Sequence, residues 1–160
     1  MPTVAPEDYS PIEQAQVNDP GRHFTHAGAS IHIKATARET NNLHSLIELT
    51  IPGYFPGAPL HYHKTFVESF YVLEGLLEIK RAGETLTATP GRLVHIPMGV
   101  VHGFINPTAQ PARLLVICTP GGHDTYFTDL IVWLQREPEW PPTNREALVA
   151  FGRDHDTHFV

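Results

Sequence analysis

Two imidazoles separated by one residue, those of His61 and His63, precede a glutamate at position 68. Alternate residues of a strand point to the same side, so both imidazoles would face one side. Glu68 follows a short break, after which an antiparallel strand would bring its carboxylate alongside. His102 follows a turn at Pro97–Gly99 and begins another predicted strand. Three imidazoles and one carboxylate suit divalent Fe, Mn, Ni, Cu, Co or Zn better than Ca or Mg.

These four side chains also suggest a way of handling a substrate. Four protein ligands would leave one or two positions open on a metal that accepts five or six. Such a site favours an enolate, a phenolate or an α-hydroxy-ketone. If Glu68 detaches, its carboxylate would serve as a general base for a substrate hydroxyl. Strand parity and neighbouring loops predict an apolar cavity lined by Tyr54, Phe55, Phe66, Phe70, Val72 and Phe104.

The elements that must position these residues are mostly short strands. Apolar and polar residues alternate in several segments, which Pro- and Gly-containing turns separate. The segment 112–118 is almost continuously apolar and predicts a strand buried on both faces. Many short strands with frequent turns predict a sandwich or a barrel. The predicted strands cover residues 30–37, 43–51, 68–74, 76–81, 85–89, 92–96, 101–105 and 112–118.

The end of the chain has helical periodicity. Apolar residues between positions 126 and 135 recur at three- and four-residue intervals, which predicts an amphipathic helix capped by Asp124. Thr143 and Glu146 form a capping box ahead of a second short helix, for which Gly152 is the predicted stop.

Composition excludes several classes of protein. Of 160 residues, 41% are hydrophobic and 18% are charged, which argues against wholesale disorder. The net charge of −6 argues against general binding of nucleic acid or anionic membranes. We find no long apolar run that predicts a membrane span, and no signal-peptide pattern. The single cysteine, Cys118, cannot form an internal disulfide. A cytoplasmic location is the expectation.

Most of the other histidines are expected to be solvated. There are 11 histidines in the chain, and isolated ones are usually surface residues. His95 is expected to pack or hydrogen-bond within its strand, and Cys118 to be a small buried residue. The tail from Asp154 to His158 has metal-binding residue types, but charged chain ends are usually solvated. The histidines expected in solvent are His23, His26, His32, His44 and His123.

The two histidine-containing segments resemble the two signature motifs of the cupin superfamily. The first motif spaces two histidines, a glutamate and a glycine as His61, His63, Glu68 and Gly75 do. The second motif matches Gly91, Pro97, Gly99, His102 and Asn106. The chain departs from the family at Phe55, where a glycine usually stands six residues before the first histidine, so we expect a reshaped access loop. From Ser30 to Val160 the chain is similar to small single-domain, quercetinase-like cupins.

The resemblance implies an all-β jelly-roll barrel and one metal ion held by His61, His63, Glu68 and His102. It also implies a small-molecule substrate and, often, a homodimer. We expect an N-terminal arm over residues 1–29, the barrel over 30–122, and a C-terminal helical segment and tail over 123–160.

The reaction is less determined than the fold, because cupins serve many functions. The first hypothesis is a metal-dependent, dioxygenase-like enzyme acting on an aromatic or enolic molecule. The second is a non-redox isomerase, lyase or polyketide-type cyclase that uses the metal as a Lewis acid. The third is a ligand-binding cupin without turnover.

Overall fold

The computed structural model describes residues 22–26, 28–136 and 143–160. Eleven strands and two helices form in these residues. The strands are β1 (His23–His26), β2 (Ala29–Ala35), β3 (Ser45–Ile51), β4 (His61–Tyr62), β5 (Val67–Glu74), β6 (Leu77–Arg81), β7 (Glu84–Ala88), β8 (Leu93–Ile96), β9 (His102–Ile105), β10 (Ala112–Thr119) and β11 (His158–Phe159). The helices are α1 (His123–Leu134) and α2 (Arg145–Asp154).

The strands form two antiparallel sheets. The six-stranded sheet has the order β1-β2-β3-β10-β5-β8, and the five-stranded sheet has the order β11-β4-β9-β6-β7. The inner faces of both sheets and one face of α1 contribute to a single hydrophobic cluster. Because β5 lies in one sheet and β4 and β9 in the other, Glu68 comes from the sheet opposite the one that carries His61 and His102.

Buried and half-buried residues alternate strictly in β3 and β10, which shows how the six-stranded sheet orients its side chains. In β3, Ser45, Ile47 and the later odd-numbered residues are buried, while those between are half-buried. Strand β10 follows the same pattern, so the prediction that it is buried on both faces is wrong. The reason is that its outer face remains partly solvated, where Arg113 approaches Glu48 and Glu74.

Both helices form, but their ends differ from the prediction. Helix α1 begins at His123 behind Gly122, which provides no side-chain cap. Asp124 is not the cap, because its carboxylate accepts a hydrogen bond from the backbone N–H of Ala37 instead (3.1 Å). Helix α2 is capped by Asn144 rather than by the expected Thr143, through a bond from the N–H of Ala147 (3.0 Å).

Gly152 lies inside α2 and does not stop it. A Cβ atom there would lie 2.5 Å from the Phe159 ring and 2.6 Å from the Thr157 carbonyl oxygen. The glycine therefore permits close contact between the helix and the C-terminal strand β11. This close approach explains why a residue with low helix propensity stands there.

Two predictions concern segments at the limits of the described residues. Strand β1 falls within the predicted arm, so the last residues of that segment belong to the sheet. The remainder of the arm, residues 1–21, and the predicted helix break at 137–142 lie outside the described residues. The division into arm, barrel and helical segment therefore stays a prediction. Among the described residues, neither helix is long and apolar enough to cross a membrane.

Candidate functional site

Strand pairing brings the four predicted ligands together. His61 on β4 pairs directly with His102 on β9 in the five-stranded sheet. Glu68 projects from β5 of the opposite sheet, and His63 lies in the short connection between β4 and β5. One potential ligand atom from each residue lies within 4.8 Å of the others, and all four residues are buried. The folded chain therefore contains the cluster that the sequence spacing predicts.

Backbone carbonyl oxygens orient all three imidazoles. Each of His61, His63 and His102 donates a hydrogen bond from Nδ1–H to a main-chain carbonyl oxygen, since a carbonyl can only accept. This leaves the Nε2 atoms of His61 and His63 with a lone pair, the arrangement that metal-bound histidines adopt, while His102 Nε2 makes a hydrogen bond with the Glu68 carboxylate. In the order of the histidines, the acceptors are Pro59 (2.7 Å), Asp156 (2.8 Å) and Val100 (2.8 Å).

The cluster leaves one polar atom without a partner. Glu68 Oε2 lies 2.7 Å from His102 Nε2 and 3.5 Å from His63 Nε2. The His63 Nε2 atom is buried and has no hydrogen-bond partner among the described residues. Buried nitrogen atoms are rarely left unpaired. An orphaned lone pair beside a carboxylate and two further imidazoles fits a divalent transition metal.

At His61 and Glu68, the electrostatics of the pocket favour the protonation states that a metal ligand requires. Burial lowers the pKa of His61 to about 4, which keeps this imidazole neutral. Burial alone would raise the pKa of Glu68, but the His102 and His63 imidazoles hold it well below its usual range. Burial also acts to lower the pKa of His102, but the hydrogen bond with Glu68 raises it. The carboxylate is therefore anionic and available as a ligand.

An apolar cavity of about 120 Å³ opens beside Glu68 and His61. Its volume is many times that needed for one water molecule, which is about 10–15 Å³ by the same kind of measure. Aliphatic and aromatic side chains from both sheets and from α1 form most of its wall. The lining residues include Ile31, Leu49, Ile51, Phe55, Phe70, Phe104, Val116, Tyr126, Phe127, Leu130 and Phe159.

Three of the six residues predicted to line the cavity do so. Phe55, Phe70 and Phe104 contribute to its wall, and the Phe70 and Phe104 rings meet edge to face at 5.5 Å. Gly57 has a positive φ of 92°, and a Cβ there would collide with the Phe104 carbonyl oxygen. This close approach is how the access loop brings Phe55 against β9.

The other three predicted lining residues lie elsewhere. Tyr54 is 71% exposed because its backbone, with a φ of 56°, turns the side chain to solvent. Val72 is fully buried in the core, two residues farther along β5 than Phe70. Phe66 is buried and stacks on the His63 ring at 4.2 Å, where it supports a ligand instead of facing the cavity.

Two histidines that were expected in solvent, His26 and His123, line the cavity. His123 is only 6% exposed and lies in the first turn of α1. Burial lowers its pKa to about 3. Helical spacing could have indicated the burial of His123, because this residue precedes Phe127 and Leu130 on the apolar face of α1. His26 is half-buried on β1 and lines the cavity.

The C-terminal tail also differs from the expectation that it is solvated. Asp156 supplies the carbonyl oxygen that orients His63. Its carboxylate accepts hydrogen bonds from the N–H groups of Lys64 (2.9 Å) and Thr65 (2.7 Å). Strand β11 pairs with β4, with Phe159 opposite His61. The tail therefore supports the ligand-bearing segment from behind.

Comparison with known proteins agrees with this architecture. Residues 48–118 match the cupin domain family. Over 70 residues the chain is 29% identical to quercetin 2,3-dioxygenase of Bacillus subtilis (strain 168), a match that covers 44% of this chain and 20% of that enzyme. The chain thus matches only a fifth of that relative's length.

Solved structures extend the likeness to most of the chain. Ectoine synthase from P. lautus has a TM-score of 0.59 at 20% identity, with 71% of this chain and 80% of that chain covered. The polyketide cyclase RemF from Streptomyces resistomycificus has a TM-score of 0.51 at 25% identity, with 74% and 79% covered. Residues 48–118 form a cupin domain, and the all-β fold is that of a cupin jelly-roll barrel. The predicted family and fold class are confirmed.

Proposed function

We propose that this chain binds one divalent transition metal through His61, His63, Glu68 and His102 and catalyses a dioxygenase-like reaction of an aromatic or enolic molecule. The observation that carries the proposal is the convergence of three carbonyl-oriented imidazoles and one carboxylate at the wall of an apolar cavity. The match to quercetin 2,3-dioxygenase supports the choice of an oxygenase.

The chain's own residues have separate tasks in this proposal. The Glu68 carboxylate accepts the proton of a substrate hydroxyl, because it is anionic and faces the cavity. Phe70 and Phe104 contact the flat body of the substrate and exclude water from the reacting group. When bound, a redox-active metal ion would polarise a substrate oxygen and exchange electrons with O₂.

A second candidate is a non-redox reaction, such as that of an isomerase, a lyase or a polyketide-type cyclase. The structural similarity to a polyketide cyclase at 25% identity favours it. The same four ligands and the same base would serve, with the metal acting as a Lewis acid only. This candidate predicts activity without oxygen and with zinc bound.

The first experiment measures the metal content of the purified protein by mass spectrometry. We expect near-stoichiometric metal in the wild type and loss of it in the double variant His61→Ala/His63→Ala. The matched control is His32→Ala/His95→Ala, which removes two histidines outside the cluster and should keep the metal. A wild-type protein that takes up no divalent transition metal would contradict the proposal and favour a ligand-binding cupin without turnover.

The second experiment separates the two reactions. Oxygen uptake with flavonol and enolic compounds, above the rate of the metal-free protein, supports the oxygenase. Turnover of such compounds under nitrogen supports the non-redox candidate.

The homodimer stays a prediction, which sedimentation of the full chain would test. A cytoplasmic location also stays a prediction.

A further inference from the structure

His123 is a polar residue in a place where an apolar one would pack equally well. Its ring stacks on Tyr126 at 4.9 Å and meets Phe127 at 5.2 Å and Phe66 at 4.9 Å. Packing among these aromatic rings does not require an imidazole. The Nδ1 atom is buried and has no hydrogen-bond partner among the described residues. An unpaired buried nitrogen destabilises the folded chain, so its retention calls for a ligand.

The position of His123 relative to Glu68 defines what that ligand can be. A nitrogen of His123 and a carboxylate oxygen of Glu68 lie within 4.8 Å of each other, and both residues line the cavity. Two hydrogen bonds of about 2.8 Å that share one oxygen atom span such a distance at an ordinary angle. One hydroxyl group can therefore bond to both residues at once.

We propose that His123 is a substrate-binding residue that hydrogen-bonds the substrate hydroxyl held by Glu68, and that the substrate is a phenol or an enol with a flat apolar body. This inference rests on the proposed function, because it assigns the substrate of the same site. A neutral imidazole supplies one donor and one acceptor. The hydroxyl donates to the carboxylate and accepts from the imidazole N–H.

The rest of the wall is consistent with this substrate class. Among the described residues, the cavity lining contains no lysine or arginine, so it lacks the charged donors that recognise a phosphate. Phe70, Phe104 and Phe127 present rings on which a flat apolar body would pack. Glu68 and His123 contribute adjacent polar groups to this wall.

The test compares two small probes that differ only at the hydroxyl. In 4-nitroanisole a methyl group replaces the hydroxyl hydrogen of 4-nitrophenol. Binding of each is measured by titration calorimetry to protein loaded with zinc, which is redox-inert and prevents oxygen chemistry. The variant His123→Phe keeps the ring and removes both nitrogens. His95→Phe is the matched control, since His95 lies on the exposed face of β8, where it contacts the Ser69 hydroxyl (2.9 Å), and does not line the cavity.

We expect wild type to prefer 4-nitrophenol, and His123→Phe to weaken its binding roughly fivefold to tenfold, the loss of about one hydrogen bond. Binding of 4-nitroanisole should change less than about twofold in either variant. His123→Gln, which keeps a donor and an acceptor, should retain part of the preference. His95→Phe should retain all of it.

Three results would overturn the inference: no preference in the wild type, an unchanged preference in His123→Phe, or an equal loss in His95→Phe. The zinc content of each sample is measured first, so failure of the metal site is seen separately. If the protein takes up no zinc, the proposed function fails. The probe comparison then applies to the metal-free protein, in which Glu68 and His123 still face each other.

Discussion

Glu68 on β5 makes a polar contact with His102 on β9 of the opposite sheet. It projects from β5 toward His102 and His63, which belong to the opposite side of the barrel. Its carboxylate is buried, and its neighbours apart from these histidines are mostly apolar. A buried carboxylate in such surroundings is stable only with partners that favour its charge. In the proposed function, this carboxylate accepts the proton of a hydroxyl that enters the cavity.

The variant Glu68→Gln tests this role. It keeps the size and one oxygen of the side chain but removes the charge and the ability to accept a proton. We expect turnover at saturating metal to fall by at least roughly 100-fold, the usual contribution of a general base. Product formation or oxygen uptake with the best compound from the screen is the measurement.

The control for this variant is Glu48→Gln. Glu48 lies on β3, where it pairs with Lys34 (3.2 Å) on the outer face of the six-stranded sheet. This change removes the same charge far from the cavity and should leave turnover unaltered. Full turnover in Glu68→Gln would show that its carboxylate does not act as the base.

The residues of the candidate metal centre could be predicted because their spacing matches the two cupin signature motifs. Strand alternation predicted His61 and His63 on one side, although β4 ends at Tyr62 and His63 lies in the connection to β5. His123 was not predictable in the same way. Its burial depends on where α1 docks against the barrel, and that docking is a long-range property. The prediction that Tyr54 lines the cavity was wrong for a local reason, a left-handed backbone conformation that tyrosine rarely adopts.

At the scale of elements, the C-terminal segment of residues 155–160 supports the histidine-bearing connection. The Asp156 carboxylate accepts bonds from Lys64 N–H, Thr65 N–H and the Thr65 hydroxyl, which follow His63 directly. Its own carbonyl oxygen holds Nδ1–H of His63 (2.8 Å). Asp156 therefore fixes both the backbone beside this ligand and the tautomer of its ring. It is a positioning residue.

We expect Asp156→Ala to weaken metal binding roughly tenfold to hundredfold, as removal of the groups that orient a ligand commonly does. Alanine removes the carboxylate contacts and disfavours the positive φ of 53° at this position. The measurement is the dissociation constant for zinc by competition with a chromophoric chelator. Asp154→Ala, in the exposed last turn of α2, is the control and should bind zinc like the wild type.

The rescue variant Asp156→Asn distinguishes positioning from general stability. Asparagine tolerates the left-handed conformation and keeps one acceptor oxygen, so zinc affinity should return toward the wild-type value. Equal zinc affinity in wild type and Asp156→Ala would remove the positioning role. This outcome would assign the contacts to packing of the tail alone.

Most strands could be predicted from the sequence, whereas β1, β4 and β11 were not. The longer strands show alternation over five to eight residues. Strands β4 and β11 have two residues each, too few for any periodic signal. They exist because they pair with each other, with His158 opposite Tyr62. Such pairing between distant segments depends on the folded barrel. The contact of Gly152 with Phe159 becomes apparent only in the folded structure.

At the scale of the whole molecule, an ion pair connects the residue before edge strand β1 to the loop between β2 and β3. Arg22, just before the edge strand β1, donates two hydrogen bonds to Glu39 in the loop between β2 and β3 (2.8 and 3.0 Å). Glu39 also accepts bonds from the N–H and hydroxyl groups of Thr36 (both 2.9 Å). A two-pronged contact of this kind is among the stronger charged interactions. It stabilises the attachment of β1.

This ion pair makes the stability of the whole chain depend on pH. The hydrogen bonds from Arg22 lower the pKa of Glu39 from 4.5 to about 2. A carboxyl group whose folded-state pKa is depressed contributes stability above its unfolded pKa, and this contribution is lost as the pH falls toward the folded value. The contribution is therefore complete near neutral pH and decreases between pH 4.5 and about 2.

We expect Glu39→Gln to lower the free energy of unfolding by about 1–2 kcal/mol at pH 7, since partial exposure screens the pair. The difference from wild type should fall to roughly half by pH 3 as the carboxyl group binds its proton in the unfolded state. Denaturant unfolding of both proteins between pH 7 and pH 3 measures it. The control is Glu84→Gln on the exposed turn of β7, for which no such loss is expected. A difference between Glu39→Gln and wild type that stays constant over this range would show that the ion pair is not its source.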